Sequence, residues 1–237
     1  GHPRRRYALP SRRPSGALMN LDWTVAWQHR ALLFDGVIVT VLLTVLTMLI
    51  AVPVGIAITM LRQSRFAAAR AAGTAYVEFF RNLPLILLVY WAFYVLPMLV
   101  DVRVSPFATG LIALSLNVSA YNSETFRAGV NSIRKGQLDA ALALGMSRWQ
   151  MMRQVVLPQA LRRVLPVLAS TWVSLFKDTS LVSVIAVGDL AHAALQVRSQ
   201  TFRVLEMLTV MAVIYWCLGY PQAKLVDWID RKFGVKE

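Results

Sequence analysis

Polar side chains interrupt two apolar segments of this sequence at helical spacing. Asn117, Tyr121 and Glu124 recur at i, i+4 and i+7, which places them on one face of a helix. A second polar stripe lies on a later apolar segment and consists of Ser170, Thr171, Ser174, Lys177 and Asp178. Polar groups inside a membrane-spanning segment are expensive and mark a functional path by default. If the two stripes meet, we expect them to line one polar cavity that could receive the charged groups of a substrate.

An internal network of ion pairs is the alternative explanation for the same residues. Glu124 can pair with Arg127, three residues later on the same helix. Lys177 can pair with Asp178 or with Glu124. Such a network would hold the helices together without any contact to a substrate.

Glu78 and Arg81 form a further pair at helical spacing. They lie three residues apart, on one helical face, shortly before Pro84. Because proline interrupts a helix, we expect a helix junction at this point. We therefore interpret the pair as structural.

The sequence contains no set of residues that would catalyse a reaction. It has no G-x-x-x-x-G-K-[ST] phosphate loop, so it cannot hold ATP in the usual way. Its three histidines, His2, His29 and His192, are scattered, and neither a metal-binding set nor a nucleophile triad can be assembled. These absences predict a protein that is not itself an enzyme.

The segment GQLDAALALGMSRWQMMRQVVLPQALRR, residues 136–163, predicts two short helices. Gly145 can adopt the left-handed conformation that ends a helix, and the residues SRWQ at 147–150 fit a capping box that begins another. We expect Pro158 to end or kink the second helix. The segment resembles a helix-turn-helix, but it is tethered to membrane spans at both ends and lacks a third helix, which argues against DNA binding.

A solvated loop without a partner is the plainer alternative for this segment. Its apolar side chains are too numerous to leave in water: Leu138, Leu142, Leu144, Trp149, Met151 and Met152. We therefore expect another protein, or the helix ends of this chain, to cover some of them.

The elements that must position these residues are membrane-spanning helices. Hydrophobic residues make up 57% of the 237 residues, and several uncharged runs approach the roughly 20 residues that cross a bilayer. We predict an all-α integral membrane protein with five transmembrane helices. The predicted spans are about 34–61, 82–100, 104–126, 164–188 and 205–223, with a cytoplasmic loop at about 127–163 between spans 3 and 4.

The net charge of +13 reports membrane topology before it suggests nucleic acid. From residue 19 onward, most lysines and arginines face the cytoplasm if the first span runs inward, which predicts an external N-terminus and a cytoplasmic C-terminus. Residues 1–18 conflict with this arrangement because they place five arginines outside. We interpret them as a non-native extension before Met19, the alternative being a disordered basic tail, and residues 19–237 as one transmembrane domain.

The run from Asp139 to Pro158 resembles the EAA loop of ATP-binding cassette importer permeases. That loop reads Glu-Ala-Ala, three residues, Gly, nine residues, Ile-x-Leu-Pro, and the matching positions here are Asp139, Ala140, Ala141, Gly145, Val155, Leu157 and Pro158. Asp139 for Glu and Val155 for Ile are conservative departures. Blocks at residues 78–91, 119–137 and 174–190 resemble the polar amino-acid branch of the family, and the resemblance covers residues 19 to about 235.

The resemblance implies that a coupling helix docks on a cytoplasmic ATPase, which would bind ATP and magnesium, so that this subunit needs no cofactor. On this basis the coupling residues are Asp139, Ala140, Ala141, Gly145, Met146, Ser147, Leu157 and Pro158. It also implies a periplasmic or lipid-anchored amino-acid binding protein and a second permease subunit, a related chain in preference to a second copy. The implied location is the bacterial cytoplasmic membrane.

Glutamate and aspartate are the substrates towards which the sequence leans. The run FRNLPLILLVYW resembles glutamate/aspartate permeases, and no extra acidic residue precedes Asp178 by one or two turns to receive a cationic side chain. A non-transporting membrane scaffold or sensor that docks a cytoplasmic protein is the alternative function. Ion-driven transport would instead predict a longer chain with inverted repeats.

Overall fold

The computed structural model describes residues 21–101 and 103–233. Within those ranges every regular element is helical, which confirms the all-α prediction. The α-helices are α1 Thr24–Gln28, α2 Arg30–Arg62, α3 Ala67–Asn82, α4 Leu85–Tyr90, α5 Leu96–Val100, α6 Pro106–Asn131, α7 Lys135–Ala143, α8 Arg148–Met151, α9 Leu157–Asp178, α10 Leu190–Thr201 and α11 Val204–Phe233. The proposed extension, residues 1–18, lies outside the described ranges.

Three short helices of other types link these elements. A π-helical turn over Trp91–Val95 joins α4 to α5, and a second over Met152–Val156 joins α8 to α9. A 3₁₀ helix over Thr179–Ile185 continues α9. Asp178, the last residue of the second polar stripe, therefore lies where the α-helix changes to a 3₁₀ helix.

Two helices of the described chain, α2 and α11, are long and apolar enough to cross a membrane. Two bent pairs raise that number to four if each pair is one span. In the first pair α3 meets Leu85–Val100 at 105°, and in the second Arg148–Ile185 meets α10 at 46°. The predicted span at 104–126 corresponds to α6, which falls outside this group because of its many polar residues.

Helix α6 lies at the centre of the helical bundle and packs most closely on α2. Gly55 permits this packing, because a Cβ atom there would lie 2.9 Å from the Cβ of Asn122 and 3.1 Å from the Ser119 carbonyl oxygen. The Thr59 hydroxyl donates to the Ser123 carbonyl oxygen at 3.0 Å across the same interface. The polar residues of α6 that face α2, namely Ser119, Asn122 and Ser123, are thus buried against protein rather than against lipid.

Buried apolar side chains form two clusters. The larger joins α2, α4, α6 and α9 through residues such as Leu43, Val89, Leu114 and Leu175. The smaller joins α2, α10 and α11 through Leu33, Leu190, Val197 and Met207. Most of the stretch between the fourth and fifth predicted spans, residues 189–204, is α10, a helix with a buried apolar face.

Candidate functional site

A polar cavity of about 530 Å³ lies at the break between α3 and α4, against α6 and α9. The two polar stripes predicted from the sequence meet there. Six of the stripe residues line it: Asn117, Tyr121, Ser170, Thr171, Ser174 and Asp178. Glu124 and Lys177, which the sequence analysis placed on the same path, are not among its lining residues.

The break between α3 and α4 is held by side chains of α6. The Asn117 amide donates to the Phe80 carbonyl oxygen at 2.8 Å, and the Tyr121 hydroxyl donates to the Arg81 carbonyl oxygen at 3.4 Å. Both carbonyls belong to the last turn of α3, where no further helical N–H is available to pair with them. Leu83 is extended before Pro84, so the chain turns away and α4 begins beside the cavity.

Arg81 is a cavity residue that the sequence analysis assigned to a structural role. Its guanidinium lies 5.4 Å from the centre of the Tyr121 ring and 3.9 Å from a carboxylate oxygen of Glu124. Both contacts are loose, and the side chain is partly exposed. The signal that could have identified it is its place beside a proline-induced break between two apolar segments, since broken helices place functional groups at membrane depth.

Glu124 is the centre of an ion-pair network rather than a cavity residue. It pairs with Arg62 of α2 at 2.7 Å, with Arg127 of α6, and more loosely with Arg81 of α3. The alternative weighed from the sequence is therefore observed for Glu124. It is not observed for Lys177, which forms no ion pair within 4.0 Å among the described residues.

Residues 136–163, which we call the coupling segment, contain the turn that their sequence predicts. Gly145 has φ +74°, and its N–H donates to the Leu142 carbonyl oxygen while the N–H of Met146 donates to that of Ala141. This pair of hydrogen bonds is a Schellman motif, which ends α7. Ser147 and Gln150 form the predicted capping box, which begins α8.

The sequence-based expectation was that Pro158 ends or kinks the second helix, and the helix does not end there. The π-helical turn over Met152–Val156 precedes Pro158, and α9 then continues without interruption to Asp178. Pro158 lies inside this continuous helix, directly after the π-helical turn, and a proline and a π-bulge are both places where the regular hydrogen-bond ladder of a helix is interrupted. The helix from Arg148 onward is therefore one long element.

The apolar side chains of the coupling segment are divided between exposed and buried positions. Leu144 is 78% exposed and Trp149 is 70% exposed. Ala141 is only 3% exposed, so it packs on this chain and cannot contact a partner directly. The other coupling residues predicted from the sequence are exposed or partly exposed: Asp139, Ala140, Gly145, Met146, Ser147, Leu157 and Pro158.

No group of three or more histidine, cysteine, aspartate or glutamate side chains within residues 21–101 and 103–233 could hold a metal ion. Glu124 and Asp178, the acidic residues of the ion-pair network and of the polar cavity, have different surroundings. Glu124 is bound by arginines, and Asp178 lines the polar cavity.

Comparison with known proteins places the chain among transport components. The sequence model of a family described as "Binding-protein-dependent transport system inner membrane component" matches residues 51–235. The chain is 32% identical to the glutamate/aspartate import permease protein GltK of Escherichia coli O6:H1, over 91% of this chain and 99% of that protein. It is 35% identical to the glutamine transport system permease protein GlnP of Escherichia coli strain K12, over 92% and 100%.

A solved structure agrees with this placement. The chain superposes with a TM-score of 0.86 and 31% identity on a protein whose structure is described as that of an amino acid ABC transporter with histidines, covering 90% of this chain and 100% of that one. The family match alone spans more than half of the chain. The protein therefore belongs to the family of inner-membrane components of binding-protein-dependent transport systems, as a permease subunit that is not itself an enzyme.

Proposed function

We propose that this permease subunit imports polar amino acids and that the polar cavity is where it contacts them. The observation that carries the proposal is that one cavity is lined by a cation, Arg81, and an anion, Asp178, together with amide and hydroxyl groups. A free amino acid carries the complementary charges, an α-carboxylate and an α-ammonium. The names of the relatives support the same substrate class.

Acidic amino acids are the favoured substrates. Among the described residues that line the cavity, Asp178 is the one carboxylate, and the α-ammonium of any amino acid would occupy it. A cationic side chain would need a second carboxylate there. Arg81 is the one cation among the same residues and would already hold the α-carboxylate, so the preference for glutamate and aspartate rests on the absence of that second carboxylate and on the likeness to a glutamate/aspartate permease.

Alternating access would be driven by a partner ATPase through the coupling segment. Its exposed Leu144 and Trp149 offer apolar surface at the tip of a tightly turned helix pair. A groove of the ATPase would cover this surface, and nucleotide-driven movement would reach α9 because α8 and α9 form one long helix. The other partners are a solute-binding protein outside the membrane and a second, related permease chain.

The proposed topology has five spans, an external N-terminus and a cytoplasmic C-terminus. Its spans are α2, the α4–α5 helix, α6, α9 with the 3₁₀ helix that follows it, and α11. Helix α6 crosses because the protein, rather than lipid, receives its polar face. The basic coupling segment then lies on the cytoplasmic side.

Uptake measurements test the substrate site. We expect Asp178→Asn to lower the uptake of labelled glutamate by about 10-fold or more, because one charge-assisted contact to the ammonium is lost. Lys177→Gln is the matched control, because Lys177 is next to Asp178 in the sequence but does not line the cavity. Both variants are compared in the complete transporter at equal membrane abundance. Wild-type uptake by Asp178→Asn would remove the cavity from the substrate path.

The alternative function weighed from the sequence, a non-transporting scaffold or sensor, conflicts with the family to which the chain belongs. It predicts that the chain binds a cytoplasmic protein through Leu144 and Trp149 but supports no uptake of any amino acid. The same assay, run with a panel of labelled amino acids, separates the two functions.

A further inference from the structure

A second chamber of about 330 Å³ adjoins the polar cavity on the side of the coupling segment. It lies between α3, α6 and α9. Its lining includes Arg81, Tyr121 and Val167, which also line the polar cavity, together with Glu124 and Arg163. The two spaces therefore share a partition made of three side chains. We call this second space the arginine chamber.

Positive charge exceeds negative charge at the arginine chamber. Arg81 and Arg163 line it, and Arg62 and Arg127 pair with Glu124 at its wall. Glu124 is the one carboxylate among its described lining residues, and Arg62 and Arg127 already pair with it closely. An anion that enters the chamber is attracted by charge that Glu124 leaves uncompensated.

Arg163 supplies the second sign of an unfilled site. It forms no hydrogen bond or ion pair with the described residues, and its buried Nε has no partner. Buried polar groups are normally paired, and an unpaired one calls for a specific explanation such as a missing ligand. Arg81, with its loose 3.9 Å contact to Glu124, is the other guanidinium that can turn to a new partner.

We propose that the arginine chamber is a second binding site, which takes a small carboxylate between Arg81 and Arg163. Guanidinium groups bind carboxylates through paired hydrogen bonds, and the chamber has room for a molecule of a few carbon atoms. Its occupant in the working transporter is the carboxylate of an amino acid that has left the polar cavity past Arg81 and Tyr121. That last assignment rests on the proposed function, whereas carboxylate binding does not.

Equilibrium binding of labelled succinate to the full chain in zwitterionic nanodiscs tests the site. Succinate carries carboxylates but no ammonium, so it probes this chamber rather than the Asp178 end of the polar cavity. We expect saturable binding, and we expect Arg163→Gln to weaken it by about 10-fold to 100-fold, the range for one lost charge-assisted hydrogen bond. Arg162→Gln is the matched control, because Arg162 is the exposed neighbour on the same helix and does not line the chamber.

Three results would overturn the proposal: no saturable binding, equal binding by Arg163→Gln and Arg162→Gln, or complete displacement of succinate by chloride at constant ionic strength. Melting temperatures of both variants establish that each chain is folded. Amino-acid uptake by the complete transporter is measured separately. A chain that binds succinate as expected but transports no amino acid keeps the chamber and loses only the proposed function.

Discussion

At the scale of single residues, the most constrained group is the Glu124 carboxylate. Its arginine partners come from the end of α2, the end of α3 and α6 itself, so one side chain joins three helices. The Arg62 side chain is only 11% exposed. Removing the carboxylate leaves several guanidiniums close together and partly desolvated, which costs more than the loss of one surface pair.

We expect Glu124→Gln to lower the free energy of unfolding by about 2 kcal/mol, the scale of one or two hydrogen bonds to a charged group. Thermal unfolding of the purified chain in detergent measures the change. Glu78→Gln is the control, since Glu78 is exposed and has no ion pair among the described residues. Equal melting temperatures for the two variants would show that the network does not stabilise the fold.

The sequence predicts single residues well where the chemistry is local. The spacing of Asn117 and Tyr121 identified a polar face, and Gly145 and Ser147 identified a turn and a cap, because each of these features depends on a few neighbouring positions. The position of Arg81 at the cavity was not predicted, because it depends on the 105° bend between α3 and the helix that follows it. Such a bend is set by tertiary packing, which spacing along the chain does not report.

At the scale of elements, α7 and α8 form a rigid corner at the tip of α9. The left-handed φ of Gly145 permits the corner, and the hydrogen bonds of the Schellman motif and the capping box fix it on both sides. The π-helical turn that follows carries the helix past Pro158. The sequence predicted the corner but not this turn, because a π-helical turn is a compromise between neighbouring packing contacts rather than a residue preference.

We expect Gly145→Val to abolish stimulation of the partner ATPase by the solute-binding protein, while the subunit still inserts into the membrane. A β-branched side chain at φ +74° costs about 1–3 kcal/mol of strain, so the corner would open. Gly136→Val is the control, because a Cβ atom at Gly136 would meet no atom within 4 Å. Stimulated ATPase activity in reconstituted complexes is the measurement.

A charge on the exposed apolar surface provides an independent arm of the same test. Leu144→Asp leaves the backbone of the corner intact and places a carboxylate where a partner would bind. Loss of stimulation in both Gly145→Val and Leu144→Asp would locate the contact at this corner. Wild-type stimulation in both would remove the coupling role.

At the scale of the whole molecule, polarity is distributed opposite to that of a soluble protein. Large apolar side chains such as Phe34, Leu49, Met60 and Trp216 are exposed on the outside, whereas Thr40, Thr44, Asn122 and Ser123 are fully buried between helices. Lipid accepts the first group, and helix–helix contacts receive the second. Mean hydropathy therefore singles out α2 and α11 but not α6, although the uncharged run at 104–123 led us to predict a span at 104–126.

The proposed topology can be tested by labelling single cysteines. In a five-span chain, the helices between Arg148 and Thr201 must connect opposite sides of the membrane. Cys217 is the one cysteine of the sequence, so a Cys217→Ser background permits single-cysteine labelling. We expect Gln200→Cys to react with an impermeant maleimide in intact cells. We expect Ser147→Cys to react only after the membrane is opened, since positively charged segments stay in the cytoplasm.

Both substituted residues are exposed, so burial does not limit the reaction. Labelling of both sites in intact cells would exclude a crossing between them, and the reverse pattern would invert the proposed orientation.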